Sequence, residues 1–414
     1  MSLTIERLRA HQILDSRGNP TLAVLATLSD GTAAEAQVPS GASTGKHEAL
    51  ELRDGDLNLY SGKGVLRAAR HVNQDLNALL RGTNAEDLVA ADQSMMPHKS
   101  SFGANAVLGS SCALARTLSK SRNQPLWQTL AQTHGTTPCV PMPMVNILSG
   151  GLHANRNIEF QDFLVIPHGY STYAEALHGI VQVHRTAREV IDKRGYVCTG
   201  VADEGGWGPL LPDNRTALEI LTEAIEISRE RMTIALDVAA SHFLTDDRYD
   251  LEGTSLSSEE MIETLETLKR QFPITSIEDG LGEDDWEGWR SLTTRMGGGL
   301  QLIGDDLFTT NPDRVRKGVE LKAANAVLVK MNQIGTLTET FEVLRIAREN
   351  NYRCVVSARS GETEDSFLAD LATASGAGQI KVGSITRSER LAKYNRLLEI
   401  EEFEGLSTVP TPVS

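Results

Sequence analysis

The sequence predicts an α/β chain: a (β/α)8-type barrel over residues 138–414, preceded by a smaller α+β domain over residues 1–137. Three observations lead there. Short apolar runs alternate with amphipathic segments over the last 270 or so residues. The first 137 residues instead place hairpin signals before helical ones. Pro138, Pro141 and Pro143 separate the two parts, in a stretch that cannot be helix interior.

In the first part, TLAVLATL (21–28) and AAEAQVP (33–39) read as strands around the turn Ser29-Asp30-Gly31-Thr32. A Gly/Ser/Thr loop, SGASTG (40–45), follows. VLRAARHVNQDLNALL (65–80) and ANAVLGSSCALARTL (104–118) then repeat apolar residues with helical period. In the second part the strand candidates are MVNIL (144–148), FLVIP (163–167), YVCTGVAD (196–203), TIALDVA (233–239), ITSIED (274–279), LQLIGDD (300–306), AVLVKM (326–331), CVVSAR (354–359) and IKVGS (380–384). Helices between them include residues 216–230 and 258–272, the second opening on a capping box from Ser257 to Glu260. A doubly wound open sheet is the rival architecture, but no GxGxxG follows the first strand.

The chain has 414 residues and a formal net charge of −15, which argues against a surface built for nucleic acid or an anionic membrane and suits a cation-binding protein. Its four cysteines are scattered, so neither a disulfide framework nor a thiolate zinc site is expected. No signal-peptide core and no run of about 18 apolar residues occurs, and a cytoplasmic location is the default expectation.

Charge falls at the ends of the strand candidates: Glu204, Asp237, Glu278, Asp305, Lys330, Arg359 and Lys381. From Asp237 onward the gaps are 41, 27, 25, 29 and 22 residues, about one strand–helix unit each. In a barrel, the C-terminal strand ends converge on the face that carries active sites. Asp237, Glu278 and Asp305 offer only oxygen, which suits Mg²⁺ and not zinc. Two lysines and an arginine suit a doubly anionic substrate bearing carboxylate or phosphate. A lysine beside a second lysine and a metal has its charged form disfavoured and can act as a general base. His47 and His98 read as structural, Trp286 and Trp289 as helix packing, and Glu283-Asp284-Asp285 as a helix N-terminus.

DSRGNPT (15–21), VPSGASTGKHEALELRDGD (38–56), GANAVLG (103–109), DEGG (203–206), SIEDGL (276–281), GDDLFTTNP (304–312), VKMNQIGTL (329–337), RSGETED (359–365) and GQIKVG (378–383) together resemble the enolase (phosphopyruvate hydratase) family, from about residue 5 to residue 404. Sites of that superfamily pair a Lys or His base with one or two Mg²⁺ ions. The resemblance implies a Mg²⁺-dependent lyase that converts 2-phosphoglycerate to phosphoenolpyruvate, with two Mg²⁺ per site and assembly as a homodimer or higher. It implies Asp237, Glu278 and Asp305 as Mg²⁺ ligands, with Ser43 joining at a second ion when its loop closes. Lys330 matches the base and Glu204 the general acid. Lys381 matches the contact to the substrate carboxylate, and Arg359 and Ser360 match the phosphate site. His153 matches a mobile-loop histidine, and Gln161 and Asp162 match a Gln-Glu pair near the acid.

The chain also departs from the family pattern. Ala358 stands where the family has histidine, Asp162 where it has glutamate and His242 where it has glutamate. Arg156 is added on the loop, DEGG is followed by Trp207-Gly208, residues 94–99 read SMMPHK, and the aromatic C-terminal tail is missing. These changes allow a second reading: a paralogue with an altered substrate, such as a phosphonate-building carboxyphosphonoenolpyruvate synthase. A third is a non-catalytic enolase-like binding protein, against which the retained acids and lysines speak.

Overall fold

The computed structural model describes residues 2–41 and 46–408. A three-stranded antiparallel meander opens the chain: β1 (Ile5–Leu14), β2 (Pro20–Leu28) and β3 (Ala33–Gln37). The hairpin β2–β3 was legible in the sequence; β1, mostly polar and half exposed, was not. Helices α1 (Leu66–His71), α2 (Asn77–Leu80), α3 (Leu88–Met95), α4 (Lys99–Phe102), α5 (Ala104–Ser121) and α6 (Leu126–His134) follow. A π-helical turn at Val72–Leu76 joins α1 to α2, so residues 65–80 run as one interrupted helix. α5 is buried almost all round and lies on β2 and β3. Gly109 permits the closest approach: a Cβ there would stand 2.6 Å from Val24 Cγ2.

The second part is a closed eight-stranded barrel. Its strands are β4 (Met142–Ser149), β5 (Asp162–Pro167) and β6 (Met232–Asp237), then, after a small sheet of β7 (Leu244–Thr245), β8 (Arg248–Leu251) and β9 (Thr254–Leu256), β10 (Ile274–Glu278), β11 (Gln301–Gly304), β12 (Ala326–Val329), β13 (Arg353–Ser357) and β14 (Gly378–Gly383). Helices α7 (Tyr173–Lys193) and α8 (Asn214–Ser228) both lie between β5 and β6. The outer ring continues with α9 (Ser258–Gln271), α10 (Trp286–Met296), α11 (Pro312–Leu321), α12 (Met331–Ile334), α13 (Leu337–Glu349), α14 (Phe367–Ser375) and α15 (Ser388–Glu404). The capping box at Ser257 and Glu260 is formed. Asp285 caps α10, accepting the Gly288 N–H, and Trp289 is fully buried with its indole N–H on the Gly282 carbonyl.

Eight of the nine strand candidates are barrel strands, and one is not. YVCTGVAD (196–203) is a loop between α7 and α8, held by scattered backbone hydrogen bonds such as Leu210 N–H to the Val197 carbonyl at 2.8 Å and Asp203 N–H to the His153 carbonyl at 3.2 Å, and by the isolated Val201–Trp207 bridge. The barrel is also not a strict β/α alternation. Only a short 3-10 turn, Gly151–Ala154, and no α-helix separates β4 from β5, so β5 turns back and runs antiparallel to both neighbours. The start of β5 therefore lies where the other strands end, with Asp162 in register with Asp237. Inside, Met144, Leu164, Ile166, Ala235, Ile303, Ala326, Leu328 and Val355 form a dry plug. Below the mouth, buried polar groups pair with one another, as Gln301 Nε2 does in donating to Gln379 Oε1 at 2.9 Å, and the charged side chains gather at the mouth above.

Candidate active site

The barrel mouth holds a cavity enclosing about 60 Å³. Nine expected residues line it: His153, Gln161, Glu204, Asp237, Asp305, Lys330, Arg359, Ser360 and Lys381. Asp162 and Glu278 stand directly behind the lining, both buried. Ser43 lies outside the described residues.

Asp237 and Glu278 end adjacent strands β6 and β10. Lys381 rises from within β14 across the barrel, and its ammonium lies 2.7 Å from both Asp237 Oδ2 and Glu278 Oε2. Asp305 follows β11 and takes the ammonium of Lys330, which follows β12. Gln333 Nε2 donates to the other Asp305 oxygen at 3.2 Å, and its Oε1 accepts from Thr310, whose hydroxyl oxygen in turn accepts the Lys330 N–H. Each lysine is thus a cation lodged among acids.

The electrostatics follow from this interleaving. Burial is the largest single influence on Lys330 and acts to lower its proton affinity, but Asp305 with Glu278 turns the net shift upward. Lys381 goes well above its ordinary value because Asp237 and Glu278 outweigh burial. The sequence led to an expectation of disfavoured charge for a lysine beside a bound metal; with Asp305 as its ion-pair partner, Lys330 favours its proton. Burial and the neighbouring Asp237 push Glu278 well above the carboxylate range. Burial also acts on Asp237, yet Lys381 holds it down.

On the opposite wall, His153 sits on a short 3-10 turn between β4 and β5. Its Nδ1 is 2.9 Å from Asp162 Oδ2 and its Nε2 is 3.8 Å from Glu204 Oε1. Burial opposes protonation, but the two carboxylates raise the imidazole to about 9. Glu204 is held below its ordinary value: burial would raise it, and His153 with Arg390 and Lys381 overcomes burial. Ser149 Oγ also donates to Asp162, at 3.0 Å.

Arg359, two residues beyond β13, is buried and forked onto Glu48, at 2.9 and 3.3 Å. Arg390 fixes this corner from behind by donating to the carbonyls of Arg359 and Ser360, both at 2.6 Å.

Sequence reasoning missed Glu48, Asp279, Asp306 and Gln333. Asp279 and Asp306 were marked only by being second acids in SIEDG and GDD; their carboxylates converge with that of Asp305. Burial and Asp305 push Asp306 up to about 7. Glu48 carries no local signal, since it arrives from the N-terminal domain.

The departures have structural places. Trp207 extends β4 by two backbone hydrogen bonds of 2.8 Å, with Ile147 and Ser149, and stacks on His184. Ala358 lines the cavity, and so does His242, which also borders a neighbouring cavity of about 380 Å³. Arg156 is exposed beside that second cavity.

Whether a Mg²⁺ ion fits can be judged from the donors. Asp237, Glu278 and Asp305 present only carboxylate oxygen; the cavity also holds the imidazoles of His153, which is engaged by Asp162, and His242. Two of the three already bracket a cation, the Lys381 ammonium. The buried carboxylates at the mouth outnumber its cationic side chains, so a divalent ion corrects an excess of buried negative charge. The residues fit the ion.

Acids from neighbouring barrel strands with lysines among them define a metal-assisted enzyme acting on an anionic substrate. Residues 5–130 match the family model described as the enolase N-terminal domain, and residues 137–409 match the enolase C-terminal TIM barrel domain. The chain is 48% identical over 413 residues to the enolase of Legionella pneumophila (strain Philadelphia 1), covering 97% of each. It is 47% identical over 416 residues to the enolase of Helicobacter pylori, again covering 97% of each. The chain belongs to the enolase family.

Proposed function

We propose that this chain is a Mg²⁺-dependent lyase that removes water from 2-phosphoglycerate to give phosphoenolpyruvate. The observation that carries the reading is the interleaving of Lys381 with Asp237 and Glu278, and of Lys330 with Asp305. It puts a base and a metal cradle within one side chain's reach. Near-full-length identity to enolases favours this reading over the paralogue with an altered substrate.

Asp237, Glu278 and Asp305 would hold the metal, and Ser43 would add a ligand to a second ion. Bound Mg²⁺ supplies positive charge for the negative charge that develops on the substrate carboxylate, and it offsets the acids that keep the lysines protonated. Lys330 in its neutral form takes the C2 proton at Nζ. Lys381 holds the carboxylate. Glu204 donates a proton to the C3 hydroxyl as the C–O bond breaks, and water leaves. Its low proton affinity here is set by His153, Arg390 and Lys381. A substrate carrying carboxylate and phosphate draws those charges onto itself and raises the proton affinity of Glu204, which takes its proton from solvent before the C–O bond breaks. Arg359 and Ser360 receive the phosphate, which must displace Glu48 from the guanidinium. Gln161, whose amide donates to Asp237 Oδ2 at 3.3 Å, orients that acid. His153, carried by Asp162, closes the site over the substrate.

The domain division is placed at residues 137/138. A homodimer or larger homo-oligomer in the cytoplasm is inferred from family likeness. No described helix is long and apolar enough to cross a membrane.

The test is the Mg²⁺-dependent rise in ultraviolet absorbance as 2-phosphoglycerate becomes the enol ester. Turnover that is lost in Lys330→Ala supports the reading. Absent turnover in the wild-type chain with Mg²⁺ still bound would sink it.

A further inference from the structure

We propose that Asp279 is a positioning residue that fixes the distance between Glu278 and Asp305 and so sets the Mg²⁺ affinity of the site. The inference rests on the assignment of those two acids as metal ligands. Asp279 follows Glu278 directly and is buried. Its backbone turns into the left-handed region, with φ +43°, which a residue bearing a Cβ seldom adopts. At the edge of the cavity, the turn aims its carboxylate at the backbone that follows the next strand.

There, Oδ1 accepts the backbone N–H of Asp305 at 2.9 Å, and Oδ2 accepts that of Asp306 at 2.8 Å. The Asp279 N–H donates to the Ile303 carbonyl at 3.0 Å, and its carbonyl accepts from Ala240, beyond β6, at 3.0 Å. One residue thereby ties the ends of β6, β10 and β11, the three strands that present Asp237, Glu278 and Asp305.

Its two oxygens are committed to backbone donors, so the side chain contributes geometry. β11 is only four residues long and pairs with β12 through two residue positions, so its end has little ladder of its own to hold it. Without the staple, Asp305 loses its fixed place relative to Glu278. Outer partners of metal ligands matter at this level: removing one typically costs about 10–100-fold in metal affinity.

Asp279→Asn tests this with little change in size. An amide has one accepting oxygen, and its NH₂ would face the second backbone donor. Calorimetric titration of the full chain with Mg²⁺ should show binding weakened about tenfold or more in Asp279→Asn. Thermal unfolding in excess EDTA should match Asp285→Asn, a cap-weakened control whose Mg²⁺ affinity stays at the wild-type value. In the turnover assay, the Mg²⁺ concentration giving half-maximal rate should rise about tenfold or more in Asp279→Asn and stay at the wild-type value in Asp285→Asn.

Unchanged Mg²⁺ affinity in Asp279→Asn overturns the proposal. So does a loss of affinity that Asp285→Asn reproduces. If Asp279→Asn fails to fold, hydrogen exchange in the wild-type chain decides. The Asp305 and Asp306 amides should be protected in EDTA, and free exchange there refutes the staple. A separate arm guards the metal assignment: Asp237→Asn must weaken Mg²⁺ binding. If it does not, the ligand assignment has failed, and Asp279 is not what was tested.

Discussion

His153 Nδ1 lies 2.9 Å from Asp162 Oδ2, at a position where the carboxylate has no solvent exposure at all. Asp162 is also bound by Asn146 and Ser149, so the imidazole is held by a fixed anchor. That pairing favours the charged form of His153, since Asp162 and Glu204 overcome burial and raise it from 6.5 to about 9.

A pH dependence follows. A raised value means the folded state favours the proton, so the stabilisation is complete below 6.5 and is lost as pH rises through about 9. The shift corresponds to about 3 kcal/mol at most. Urea unfolding in EDTA should show this loss between pH 6 and 9.5 in the wild type and little of it in His153→Gln. Parallel curves for the two proteins would refute the pairing as a source of stability.

Lys381 competes with any metal for Asp237 and Glu278. Lys381→Met should abolish turnover and, without metal, destabilise the fold by about 3–5 kcal/mol, the cost of stranding buried partners. Saturating Mg²⁺ should then raise its melting temperature by more than it raises that of the wild type. A smaller rise would mean that the lysine does not occupy the cation's place.

Glu48 shields Arg359 from anions. Glu48→Gln should bind 2-phosphoglycerate more tightly, by about tenfold if the gain is 1.4 kcal/mol. Calorimetry in the inactive Lys330→Ala background reads this directly. Weaker binding would show that Glu48 orients the arginine for the substrate.

Gly109 marks a contact unconnected with chemistry. Gly109→Ala should push α5 away from Val24 and destabilise the fold by about 1–3 kcal/mol, with kcat unchanged at 25 °C. Chemical denaturation beside a turnover assay separates the two effects.

Local pattern made most barrel strands legible, because buried strands read as short apolar runs bounded by charge. Asp237, Glu278 and Asp305 were visible for that reason. Strand direction was not visible. Nothing within FLVIP says that β5 runs backwards, so Asp162, at its start, reached the candidate list only through family resemblance. YVCTGVAD misled because its apolar letters form no strand: Val197 is exposed and Arg188 of α7 donates to the Cys198 carbonyl, so Glu204 owes its place to a loop and not to a strand end. Glu48 meets Arg359 across 311 residues of chain, a separation that no periodicity records. The ion pair of Lys330 with Asp305 was not legible either, because side-chain pairing depends on which strands are neighbours.

The reversal of β5 has one more consequence. Residues 150–161 leave β4 and enter β5 on the same rim, their ends joined by the Ser149–Asp162 pairing. Such a connection carries no share of the helical jacket and closes no part of the cylinder. It is a visor hinged on two adjacent staves, and its length and composition can drift without loosening the cask. Arg156, exposed on this stretch, lies where the chain can try new chemistry at the rim while the barrel beneath keeps its shape.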